Sequence, residues 1–201
     1  MPEAVVKIGP AEHGTRMDLP TFDRAEVQDG FNYELARGVV TVIEVPRPRH
    51  LAQVNAIRRQ FAAYDVAHPG RIDTLASGGE CKILVPSFES ERHPDLAVYL
   101  QPLADDEDVW ATSVPDLVVE VVSPGSEQRD YEDKREEYLA FGVREYWIVD
   151  YQKHQMLVLQ RSGDHWREKV IEPPTRFSSP LLPGFEFDVE PVFAAAAKFS
   201  R

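Results

Sequence analysis

Glu120, in the middle of Leu117-Val118-Val119-Glu120-Val121-Val122, restricts the fold more than any other residue of this chain. The run has strand length and carries β-branched residues on both faces, the pattern of an interior strand. An ionised carboxylate at its centre costs several kcal/mol, roughly the scale for an uncompensated buried charge. A bound metal, a buried cationic partner or protonation offsets that cost. The plain alternative is a sheet face that borders solvent. Val118 and Val122, on the same face as Glu120, argue for burial.

The segments around this strand give an α/β order. Residues 1–20 are rich in Pro, Gly and charge without periodicity and read as a loose tail, leaving residues 21–195 as one domain. Thr21 can cap a short helix. Tyr33 to Ile43, with Gly38 at the turn and Glu34 before it, reads as a hairpin, and Pro46-Arg47-Pro48-Arg49 as the loop that ends it. Leu51, Val54, Ile57, Phe61 and Tyr64 recur every three or four residues, a helical stripe ending near His68-Pro69-Gly70. Cys81 to Pro86 and Leu96 to Leu100 have strand length. After Ser123-Pro124-Gly125, Ser126 is a fair N-cap for a helix from Glu127 to Phe141, which Gly142 stops. Tyr146 to Val149 is a further buried strand. Gln155 to Leu159 and Trp166 to Ile171 form a hairpin through Ser-Gly-Asp, and an extended segment follows Pro180. Together these predict a mixed β-sheet flanked by helices.

Two further charged residues gain meaning beside Glu120. Lys134 lies on the helical stripe marked by Tyr131, Tyr138 and Phe141, so its ammonium can point at a buried carboxylate; alone, it reads equally well as a lysine snorkelling from the stripe's edge. Asp95, in His93-Pro94-Asp95, opens the strand Leu96 to Leu100. Pro-Asp is common at turns, but carboxylates on neighbouring strands can hold Mg²⁺, which prefers oxygen ligands and keeps several waters. Glu34 either adds a third oxygen or shapes the site; by itself it reads as a surface acid.

The other candidates for chemistry are weak. Cys81 is the only cysteine, which rules out an intramolecular disulfide and reads as a small buried thiol. Ser123 and Ser126 lack the G-x-S-x-G setting of an activated nucleophile, and the histidines show no H-E-x-x-H spacing. Trp147 reads as core. No apolar run has the length of a signal peptide's core or a bilayer span, so a cytoplasmic location is expected. The formal charge of −12 sits awkwardly with a polyanionic partner. The charge is uneven, however: Asp105-Asp106-Glu107-Asp108 is an acidic block that reads as a solvated loop. Pro46 to Tyr64 carries Arg47, Arg49, Arg58 and Arg59 and no acid.

The stretch from Pro115 to Pro124, then Lys134 with Tyr138, then Gly142-Val-Arg-Glu-Tyr-Trp-Ile-Val-Asp150 resembles the Uma2 family. So do Tyr33-Glu34-Leu35 with Gly38, His50, Pro94-Asp95 and Leu182-Pro183-Gly184, so the likeness spans roughly residues 20–193. Members were once a domain of unknown function and are commonly labelled restriction endonucleases. The resemblance implies a restriction-endonuclease-like fold with the PD-(D/E)xK site: Asp95 as motif aspartate, Glu120 as the following acid, Glu34 as the N-terminal acid. The usual lysine position, two after the acid, is Val122 here, so Lys134 of the next helix takes that role. His93 stands where relatives often have arginine.

That resemblance implies a metal-dependent endonuclease. Asp95 and Glu120 are expected to hold Mg²⁺ or Mn²⁺ against a DNA phosphate. Lys134 is expected to orient or deprotonate the attacking water, or to offset transition-state charge. Arg47 and Arg49 are the expected phosphate contacts. A homodimer is compatible with double-strand cutting, though no residue argues for one. The alternative is a catalytically silent protein that keeps the fold and binds nucleic acid or a protein partner, which the acidic surface favours.

Overall fold

The computed structural model describes residues 5–43, 45–106 and 109–199. The N-terminal third holds β1 (Lys7–Ile8), α1 (Leu19–Asp23), β2 (Glu26–Val27), β3 (Asn32–Ala36), β4 (Val39–Ile43) and α2 (Pro48–Ala67). Next come β5 (Thr74–Ala76), β6 (Ile83–Val85), β7 (Ser90–Arg92), β8 (Leu96–Tyr99), α3 (Val109–Thr112) and β9 (Leu117–Val121). A π-turn at Arg129–Asp133 leads into α4 (Lys134–Phe141). β10 (Glu145–Asp150), β11 (Gln155–Ser162), β12 (His165–Ile171), β13 (Arg176–Ser178), β14 (Glu186–Asp188) and α5 (Glu190–Ala197) complete the chain.

The main sheet has six strands in the order β12-β11-β10-β9-β8-β5. β9 and β10 are parallel, and every other neighbouring pair is antiparallel. A second, antiparallel sheet has the order β4-β3-β7-β6. This is the mixed sheet with flanking helices that the residue pattern predicts.

Side-chain alternation divides the core between the two faces of the main sheet. On one face Val98, Leu117, Val119, Trp147 and Val158 pack under Ile57 and Phe61 of α2 and Val192 and Phe193 of α5. Phe61, fully buried, sits 5.5 Å from the Trp147 ring centroid and 4.8 Å from that of Phe185, which anchors α2 to the sheet. Truncating such a ring costs ~3–5 kcal/mol. On the other face Val118, Tyr146, Ile148 and Leu159 meet Tyr138 of α4 and Ile83 and Val85 of the second sheet. Glu120 shares the parity of Val118, so it faces α4 and the second sheet, not solvent. Trp147 and Cys81 are buried core, as expected.

Three local expectations are corrected. The stretch expected to be a loose tail is structured within residues 5–20: β1 pairs in parallel with β2, and Ile8 is 1% exposed among Leu19, Phe22 and Leu35. Those four apolar side chains offset the ordering cost that a Pro- and Gly-rich composition suggests. Residues 1–4 lie outside the described residues. Asp18, not Thr21, caps α1: its carboxylate accepts the Thr21 N–H at 2.8 Å. Finally, α2 starts at Pro48, inside the stretch read as a loop, because Pro is favoured in a first helical turn. Its buried line is Gln53, Ile57, Phe61 and Tyr64, with Val54 half-buried, while Leu51 is 45% exposed. Leu51 lies about 200° around the helix from Gln53, so both cannot face the sheet.

Gly142 closes α4 with φ +111°, in the left-handed region that glycine tolerates best. Of the acidic block, Asp105 and Asp106 are exposed, and residues 107 and 108 lie outside the described residues. Among the described residues no helix is long and apolar enough to cross a membrane.

Candidate active site

The acids of the site come from four separate elements. β3 alternates Tyr33 and Leu35 into a small core, which turns Glu34 to the opposite side. In the main sheet Leu96 pairs with Val119 and Ala97 with Val118. Continuing that register by one residue sets Asp95 opposite Glu120. The π-turn carries Asp130, and Lys134, four residues further on, opens α4. Such turns are frequent at functional sites. Glu34, Asp95, Glu120, Asp130 and Lys134 line one cavity of about 620 Å³, with His50, Arg129, Ser123, Arg47 and Arg49 also on its wall.

Lys134 is the hub of this cluster. Its Nζ lies 2.8 Å from Glu120 Oε1, 3.5 Å from Asp130 Oδ1 and 3.9 Å from Glu34 Oε1, with the side chain 3% exposed. The Tyr138 hydroxyl donates to the same Glu120 oxygen at 2.7 Å. Glu120 Oε2 is left without a hydrogen-bond donor among the described residues. Burial pushes the Glu120 carboxyl up to about 7: Lys134 pulls it down, but Asp95, Asp130 and Glu34 add to the rise. Burial alone would lower the Lys134 pKa, yet Glu120, Glu34 and Asp130 outweigh it and raise it above the ordinary lysine value. These neighbours favour the ammonium form of Lys134, which suits orienting a water or offsetting charge better than deprotonation.

Asp95 is held from both sides. Its Oδ2 accepts the Val121 N–H at 2.7 Å, and its Oδ1 meets His50 Nε2 at 2.8 Å. The other His50 nitrogen, Nδ1, lies 3.1 Å from Ser123 Oγ. Burial lowers the His50 pKa, but the Asp95 hydrogen bond and the nearby Glu120 and Asp130 charges prevail and raise it. An Asp-His-Ser chain of this kind can serve nucleophilic catalysis when backbone N–H groups form an oxyanion hole. Here the turn spends such groups internally: Ser123 N–H bonds Ser126 Oγ, Gly125 N–H bonds Glu127 and Ser126 N–H bonds the Ser123 carbonyl. The chain orients Asp95 instead.

Glu34 does not join Asp95 and Glu120 in a three-acid cage. Its Oε2 takes Arg92 Nη1 at 3.1 Å, and its Oε1 takes the His93 N–H at 3.2 Å. Although burial raises it, Lys134 and Arg92 hold its pKa down to about 2. Arg92, wholly buried, also grips Glu137 with two bonds of 2.7 and 2.9 Å. Thus Glu34 shapes the floor of the site. His93 points to Cys81 O and Glu91, and the arginine beneath the site is its neighbour, Arg92.

Among the described residues no group of three or more His, Cys, Asp and Glu is arranged to hold a metal ion. The donor set still suits a hard divalent cation, which often takes one or two carboxylates and fills its remaining positions with water and phosphate. On the cavity wall Glu34, Asp95, Glu120 and Asp130 stand beside Arg129 and Lys134, with Arg47 and Arg49 at the start of α2. Buried Asp130 Oδ1 has no hydrogen-bond partner. A carboxylate has about four lone-pair sites, so Asp95 can bind a cation while keeping both of its hydrogen bonds.

The arginine stretch is split by the structure. Arg47 and Arg49 reach the cavity wall, whereas Arg58 is tied to Ser77 and Glu80. Arg49 also donates to the Phe199 carbonyl at 2.8 Å and lies over the Tyr151 ring. His50, Arg92, Arg129 and Asp130 are the site residues that reading the residues one by one passes over. Only Asp130 left a local signal, lying four residues before Lys134 in a helical segment.

Carboxylates at adjacent strand ends, a lysine from the following helix and a mixed sheet beneath them place this chain among proteins of the nuclease fold. A crystal structure described as that of "a putative nuclease belonging to DUF820 from Anabaena variabilis" superposes with a TM-score of 0.72 at 16% identity, covering 90% of this chain and 99% of that one. The family model Uma2, described as "Putative restriction endonuclease", matches residues 19–190. The chain belongs to the Uma2 family. No curated protein matches it.

Proposed function

We propose that this protein is a metal-dependent nuclease that hydrolyses phosphodiester bonds in DNA, with Asp95 and Glu120 holding Mg²⁺ or Mn²⁺. The observation that carries this is geometric: Asp95 and Glu120 stand opposite each other on adjacent strands of one cavity, with Lys134 Nζ 2.8 Å from Glu120. A divalent ion bound there supplies a lowered water pKa and offsets charge developing on phosphoryl oxygens. Glu120 offers Oε2, while Tyr138 and Lys134 fix Oε1. His50 and the Val121 N–H hold Asp95 in one orientation. Lys134 acts as a fixed ammonium that orients the attacking water and balances transition-state charge. Glu34 and Arg92 set the position of that ammonium from below.

The test is a calorimetric titration with Mg²⁺ and Mn²⁺ on wild type and D95A, run beside a cleavage assay on plasmid and oligonucleotide DNA. Metal binding lost in D95A, together with cleavage abolished by EDTA and reduced on the order of 10²-fold or more in D95A and E120A, supports the reading. Metal binding without cleavage of any nucleic acid supports the second reading, a silent nuclease-fold protein with a binding role. The chain's formal charge of −12 favours a protein partner for such a role.

A further inference from the structure

Among the described residues, Arg129 lines the cavity with no hydrogen bond from its guanidinium. Lys134 is surrounded by three acids, and Arg92 is consumed by Glu137 and Glu34. Arg129 differs. It sits in the π-turn beside Asp130, lines the cavity, and its side chain is 28% exposed. Its Nε is buried without a hydrogen-bond partner; the Asp130 Oδ1 oxygen is 3.6 Å away, an ion pair too long for a hydrogen bond. No hydrogen bond joins the outer nitrogens of its guanidinium to any described residue.

An arginine that only neutralised its neighbours would close on them, since a fork of five N–H groups matches a carboxylate well. Arg129 stands instead among Glu34, Asp130 and Glu120, aligned with none of them. It also remains charged at every pH of interest, and guanidinium is the side chain best matched to the paired oxygens of a phosphate.

We infer that Arg129 is a substrate-binding residue, whose guanidinium takes the oxygens of a phosphodiester group lodged in the cavity beside Asp95 and Glu120. This rests on the nuclease reading. The ligand class is a nucleic-acid backbone, since the contact reads phosphate and no base. It adds to the rim arginines an inner contact that comes from the same turn as Asp130. Binding substrate would thus supply partners for the outer N–H groups of the guanidinium.

The experiment is fluorescence anisotropy of a labelled 20-nucleotide DNA, single-stranded and duplex, in Ca²⁺ at a series of salt concentrations, with the DNA checked for integrity afterwards. Wild type, R129A, R129K and R135A are compared. Arg135 pairs with Glu168 outside the cavity and serves as a surface control. R129A should lose about tenfold in affinity for all sequences, and its log–log salt slope should flatten by about one. R129K should fall between, because lysine keeps the charge and loses the fork. R135A should bind as wild type. Melting curves of the same variants supply the readout for a structural role. Wild-type affinity and slope in a folded R129A overturn the inference about Arg129 alone. If R129A does not fold, R129K decides, and unaltered binding in it overturns the inference. Wild-type protein that binds neither DNA overturns the DNA-nuclease reading and this inference with it.

Discussion

Replacing Glu120 with glutamine should make this protein more stable, although it removes a central acid of the proposed site. In the folded protein the Glu120 carboxyl is pushed from 4.5 up to about 7 by burial and by the acids around it, even with Lys134 at 2.8 Å. The folded state therefore holds the proton more tightly than the unfolded chain. Stability from that proton is fully present below pH 4.5 and is lost as the pH rises through about 7. At about 1.4 kcal/mol per tenfold change, the loss at pH 8 is about 3 kcal/mol. Protonated glutamate and glutamine are close in shape, and glutamine's carbonyl can still accept from Tyr138 and Lys134. The two proteins should then melt together at pH 4.5 and separate above it. For a chain of this size the gap at pH 8 corresponds to ~6–12 °C in Tm. Thermal unfolding followed by circular dichroism in EDTA, at steps from pH 4.5 to 8, reads the difference directly. The contribution of His93 cancels in that difference, whereas His50, whose pKa Glu120 helps to raise, adds a smaller one. Adding Mg²⁺ should raise the wild-type Tm more than that of E120Q, because an ion that binds only the folded state stabilises it. Parallel pH profiles, or a less stable E120Q at pH 8, would show that Glu120 is compensated within the protein and that no cation is needed.

Other perturbations probe the supports of the site. E137A leaves the wholly buried Arg92 with Glu34 alone and should cost ~3–5 kcal/mol in urea denaturation, whereas the apolar pair R92M/E137L should recover much of that loss. H50A frees Asp95 Oδ1 and should weaken calorimetric Mg²⁺ affinity by ~10–100-fold, the usual effect of removing the partner of a metal ligand; unchanged affinity would reduce His50 to packing. R47E/R49E should weaken DNA binding uniformly and flatten its salt slope; unchanged binding would leave Arg49 as a tether for the chain at Phe199.

Within reach of sequence reasoning were the features that obey a local period. β9 announces itself through its valines, and α4 through Tyr131, Tyr138 and the terminating Gly142, so the approach of Lys134 to Glu120 follows from a strand, a tight turn and a helix adjacent in the chain. Leu51 shows the limit of that method: it satisfies the spacing rule yet faces solvent, because α2 is seated by Phe61 against Trp147 and by the Gln53–Tyr64 line. Residues 7–8 were illegible for a related reason, since a two-residue strand has no period and depends on β2. The hidden half of the site is non-local. His50 reaches Asp95 across 45 positions, and Arg92 reaches Glu137 across 45 and Glu34 across 58, all through contacts that only the packing of two sheets and two helices creates. Arg92 also shows why single-residue reasoning went astray at Glu34. An acid in a five-residue strand beside a tight turn reads as solvated, and what buries it is a guanidinium from β7 that is invisible until β3 and β7 pair. A buried carboxylate such as Glu120 therefore signals that compensation exists; which residues supply it is decided by topology, here Lys134 and Tyr138 from the helix that follows its own strand.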